Sequence, residues 1–163
     1  MSEFEPHQYR SALANLLASQ QTLLTSLKGC IAEEREALNN RQSETLFKLA
    51  SDKQSHMENL EQYLQQSKTV VDHLKAQMPD ASTQDIFLWC DPSGTLDELR
   101  LDVTHLTDEC LTANQHNGIQ VRRQAQQVRR ALSTLRGEDL TAIGYGARGE
   151  NHKGHDSRSL GKA

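Results

Sequence analysis

Apolar residues recur along this chain at steps of three and four, a period that gathers them on one face of a helix. The first series runs Leu13, Leu16, Leu17, Leu23, Leu24, Leu27, Ile31, Ala37, Leu38 and predicts a helix over 6–38. Pro6 sits where a first turn tolerates proline. Gly29 interrupts the series at a cost of about 1 kcal/mol relative to alanine, too little to end so long a helix. Asn39 and Asn40 mark a break, and Ser43 is the expected cap of the next segment.

That second segment predicts a helix over 43–78. Leu46, Ala50, Lys53, Met57, Leu60, Leu64, Ser67, Val71, Leu74 and Met78 form a heptad-like row, with Lys53 and Ser67 as its polar soft spots. Leu49, Tyr63 and Val70 widen the stripe, which suits a bundle better than a two-stranded coil. Pro79 closes the helix. Ser82 can cap a short helical element reaching Cys90, whose Ile86, Phe87, Leu88 and Trp89 read as a plug at one end of the bundle; Asp91, Pro92, Ser93 and Gly94 then make a turn.

A third long helix is expected over 95–136, with Thr95 as cap and Glu98 completing a capping box. Leu99, Val103, Leu106, Cys110, Ala113 and Asn117 keep tight heptad spacing. The apolar row then slips by one residue and resumes at Val121, Ala125, Val128, Leu132 and Leu135. Gly118 falls at the slip. The expected fold is therefore all-α: an elongated antiparallel bundle of three long helices and a short fourth element, with Leu60, Leu64, Leu74, Leu99, Val103 and Leu106 in the core. The bundle domain spans 1–136, and a flexible glycine-rich tail spans 137–163.

Composition supports this. The 163 residues suffice for one domain, and only seven are Phe, Tyr or Trp. Charge changes the picture more. Residues 1–120 carry eighteen acids and nine bases, whereas 121–136 carry five arginines (Arg122, Arg123, Arg129, Arg130, Arg136) and no acid. An acidic body is a poor nucleic-acid binder, although the arginine strip could attract nucleic acid or an acidic protein surface. The plain alternative for the strip is a solvated helix end, favoured by the helix dipole. Cys30, Cys90 and Cys110 are odd in number and widely spaced, which fits a reducing compartment. With no leader-like or membrane-spanning apolar run, a cytoplasmic protein is expected.

Catalytic and metal chemistry find little support. His105, Glu109 and His116 share one helix, but the chain has no Glu-x-x-His and no Cys-x-x-Cys pattern. The tail glycines do not follow a strand or open a helix, so they make no phosphate loop. We expect no enzyme, no cofactor and no metal.

The segment Asn114-Gln115-His116-Asn117-Gly118, then the arginine-rich helix end, then Tyr145-Gly146-Ala147-Arg148-Gly149, closely resembles the FlgN family of bacterial flagellar export chaperones. The resemblance also takes in the acidic leucine-rich front helix and Lys53 following Leu46 and Leu49. It implies a cytoplasmic chaperone, acting in type III secretion, that binds the C-terminal helical segments of the hook–filament junction proteins FlgK and FlgL. Such a chaperone prevents their premature assembly and docks at the export gate. It further implies client binding by Val121, Arg122, Val128, Arg129, Leu132 and Leu135, and docking on the gate protein FlhA by Tyr145 and Gly146. Asn114, Asn117 and Gly118 match a family motif to which no role is attached. The rival readings are a passive helical adaptor or regulator, in which the tail is dispensable, and a nucleic-acid-associated protein using the Arg122–Arg136 strip with strong salt dependence.

Overall fold

A computed structural model describes residues 5–136. Four helices make up the fold: α1 (Pro6–Asn39), α2 (Ser43–Gln77), α3 (Thr83–Cys90) and α4 (Thr95–Leu135). Among the described residues there is no strand. The three long helices and the short fourth element stand within a residue or so of the bounds read from the pattern.

The punctuation is partly different from expectation. Pro6 occupies the first turn of α1, and Asn40 follows its last residue as C-cap. Arg41 takes a positive φ of 55°, which turns the chain into α2. Ser43 is not the cap of α2. It is already the first helical residue, and Gln42 stands at the cap position without a side-chain bond. Ser82 does cap α3, in a reciprocal capping box with Asp85. At α4 the expected Thr95–Glu98 box is replaced. The buried carboxylate of Asp91 accepts the Leu96 N–H at 3.0 Å and the Ser93 hydroxyl at 2.7 Å, while Gly94 takes the left-handed φ of 83° that the turn requires.

Packing divides the chain into two units, Met1–Gln120 and Val121–Ala163. The expected boundary after Arg136 falls at the end of the described residues, and 137–163, with Tyr145 and Gly146, lies outside them.

In the first unit α1 is the central helix. It buries nine side chains, α2 only three. Cross-helix bonds give the directions. Gln20 reaches Tyr63 and Ser67, and Glu34 meets Lys53, so α1 and α2 are antiparallel. Cys110 lies against Leu24, Asn117 against Ile31 and Gln120 against Asn39, so this part of α4 runs parallel to α1. The main core joins Leu13, Leu17, Leu24, Leu27 and Ile31 of α1 to Leu60 and Leu74 of α2 and to Val103 and Cys110 of α4. Ile86, Phe87 and Cys90 of α3 are buried in the same cluster and Trp89 packs partly buried against it, but Leu88, also assigned to the plug, is 38% exposed. Arg100 lies 5.5 Å from the centre of the Phe87 ring and binds Asp97 at 2.7 Å.

Of the expected core residues, Leu60, Leu74 and Val103 are buried, and Leu99 and Leu106 pack partly buried against them. Leu64 is not core: 44% of it is exposed. Within a row that elsewhere packs on α1, Leu64 lines an open groove between α2 and α4. Met57 of the same row is open for the same reason.

Candidate functional site

The arginine strip lies in the second unit, on the final turns of α4. Val121, Val128, Leu132 and Leu135 are all exposed, Val128 at 59% and Leu135 at 82%. The sequence left open whether this row is internal core or open surface. As it stands it is surface. Arg122, Arg123, Arg129, Arg130 and Arg136 are exposed beside it, and no ion pair among the described residues engages them. Burial on α4 stops close to the end of α1. Up to Asn117 the row points into the first unit's core, and Asn117 is the last buried residue of α4. Three residues on, Gln120 bonds Asn39, the last residue of α1.

A second apolar surface was missed from sequence. In the first unit, α2 and α4 stand apart over α1 and leave a groove of about 360 Å³. Leu24, Leu27 and Ile31 floor it; Met57 and Leu64 of α2 and Leu111 of α4 form its walls. Leu111 is 56% exposed. Glu58 and Glu61 border it on the α2 side. Heptad reading assigns Met57 and Leu64 to a helix face but cannot say that the neighbour on that side is missing.

The motif residues of α4 have a structural part. Asn117, almost fully buried, donates from Nδ2 to the Ile31 carbonyl and to Glu34 Oε2, both at 2.8 Å. Glu34 also holds the Lys53 ammonium at 2.8 Å, and Lys53 donates to Asn114 Oδ1 at 3.0 Å. One polar layer therefore ties α1, α2 and α4 together. The soft spots of α2 are its bridges: Lys53 here, and Ser67, which accepts from the buried Gln20 amide nearer the opposite end. Gly118 sits partly buried in an unbroken helix. No spacing rule could have found this layer, because its partners come from three helices.

The histidine candidates do not converge. Glu109 gives its carboxylate to Lys28 at 2.8 Å, which holds its pKa below the ordinary value, and His105 stands 3.9 Å away, largely exposed. Among the described residues no three His, Cys, Asp or Glu side chains gather as a metal site. The three cysteines are free and buried, and burial pushes each thiol above its ordinary pKa. Such thiols pack rather than react. No helix among the described residues is long and apolar enough to cross a membrane.

Fold and surface together describe a helical bundle with open apolar faces. A family model, that of the FlgN protein, matches residues 9–153, and the chain belongs to that family, the flagellar export chaperones. Neither a curated protein nor a solved structure matches the chain.

Proposed function

We propose that this protein is a cytoplasmic chaperone that holds the C-terminal helical segments of FlgK and FlgL before their export. The family places it among flagellar export chaperones. The observation that carries the finer reading is the exposed row Val121, Val128, Leu132, Leu135 flanked by arginines in an otherwise acidic chain. An isolated amphipathic client helix presents an apolar stripe prone to promiscuous pairing. A matching stripe on α4 covers it side by side, with Arg122 and Arg129 beside the seam to meet client acids. The contact needs no covalent step, so the client can be handed on to type III secretion machinery that supplies the work.

The tail segment around Tyr145 and Gly146 is assigned to the export gate protein FlhA. A tyrosine between glycines offers a large contact with a hydroxyl handle.

The test uses pull-downs of FlgK and FlgL, each with and without its C-terminal segment. Val128→Asp with Leu132→Asp is expected to abolish client binding while helicity by circular dichroism stays unchanged, since both positions are exposed. Unchanged client affinity rules the surface out. Tyr145→Ala is expected to keep the client and lose the cytoplasmic part of FlhA; equal gate affinity removes that assignment.

A further inference from the structure

The groove between α2 and α4 and the arginine strip are complementary in length, polarity and charge. The strip repeats at four, three, four and three residues from Val121 to Leu135, the spacing of a heptad seam. In that register Arg122, Arg129 and Arg136 all fall on one flanking position, where charge pairs across helix interfaces form. The groove offers apolar walls in Met57, Leu64 and Leu111, bordered by Glu58 and Glu61. Lys53 also lines it, but its ammonium is committed to Glu34 and Asn114. The carboxylates are therefore the charges the groove has left to offer. The lengths agree as well. At about 1.5 Å per residue, the strip from 121 to 135 covers about 21 Å and the α2 wall from 53 to 64 about 17 Å.

We propose that the groove of one copy receives the Val121–Leu135 strip of a second copy, and that the exchange is reciprocal. Each copy carries one groove and one strip, so a two-fold arrangement satisfies both and closes as a dimer. Each open groove then gains the helix it lacks, and the three flanking arginines meet an acidic border. The inference concerns the protein without client and does not depend on the client reading.

The test uses the full chain alone, followed by sedimentation equilibrium over a concentration series at low and high salt. The parent is expected to dimerise with concentration and to dissociate as salt rises. Glu58→Arg with Glu61→Arg, and separately Arg122→Glu with Arg129→Glu, are each expected to weaken self-association about tenfold or more, since like charges then face each other. All four positions are exposed, and unchanged circular dichroism confirms that the variants fold. The decisive arm mixes the two variants in equal amounts. Both strip–groove pairs are then oppositely charged again, and a heterodimer is expected where neither variant associates alone. A parent that stays monomeric at every concentration overturns the proposal. So does a dimer indifferent to both variants, or a mixture that remains monomeric. Client pull-downs on the same variants report separately, so failure here and failure of the client assignment are told apart.

Discussion

Lys53 shows what a single residue does in this fold. By its place in the apolar row of α2 it is a flaw. In the structure its ammonium joins Glu34 and Asn114, and Glu34 in turn joins Asn117. A polar layer in an otherwise leucine-lined bundle fixes register, because sliding any helix by one turn leaves part-buried charges unpaired. Lys53→Met is expected to cost about 1–3 kcal/mol in chemical denaturation, since a part-buried carboxylate loses its partner. Adding Glu34→Leu should return most of that loss, because replacing a whole pair by apolar groups is far less costly than breaking it. A double variant less stable than the sum of its singles contradicts this account. The role of Asn114 and Asn117 was not legible in sequence for the same reason: their partners lie on distant segments. Ser67 with Gln20 repeats the lesson.

At the scale of elements, the helices were legible and their neighbours were not. Long apolar rows of period 3.6 fix helix existence, and Pro79 and the Asn39–Asn40 break fix the ends. Which side of a helix faces a partner depends on how many partners there are. Leu74 and Leu64 stand on one row of α2, yet Leu74 is fully buried and Leu64 is 44% exposed. Leu74→Ala is expected to cost about 2–5 kcal/mol and Leu64→Ala less than about 1 kcal/mol, read from denaturation midpoints at concentrations dilute enough to keep the protein monomeric. Equal costs would mean that the groove is closed in solution.

The turn into α4 was also only half legible, because Asp91 acts on Leu96 five residues away rather than in a local capping box. Bonds from Ser93 foremost, then from the Leu96 and Ser93 N–H groups, with the nearby Arg10 charge, hold its carboxyl below the ordinary 3.8. A carboxylate with a depressed folded pKa contributes stability above its unfolded value and loses it as pH falls through the folded one. The thermal midpoint should therefore fall below about pH 4, and Asp91→Asn should be less stable at neutral pH with a flatter acid limb. An identical acid slope in parent and variant sinks this attribution.

For the whole molecule, family membership agrees with what the sequence suggested, as does the all-helical fold of the described residues, and the apolar strip, whose burial the sequence left open, is exposed. The division after Gln120 coincides with the end of α1. Core burial on α4 ends at Asn117, and Gln120 still bonds Asn39. A chain ending at Gln120 is expected to keep its α1–α3 packing and to melt cooperatively near the parent midpoint, while losing client binding. A molten or unfolded product, seen by near-ultraviolet circular dichroism, would show that the last turns of α4 are needed for the core.

The slip at Asn117–Val121 has one more consequence. A single uninterrupted helix carries two stretches under different demands. Before the slip, a changed apolar residue is felt by the packed interior. After it, the same change alters only what the surface attracts. Substitutions can therefore accumulate past Val121 without a folding penalty, and on the proposed client reading a new cargo is acquired by editing the last four turns of one helix.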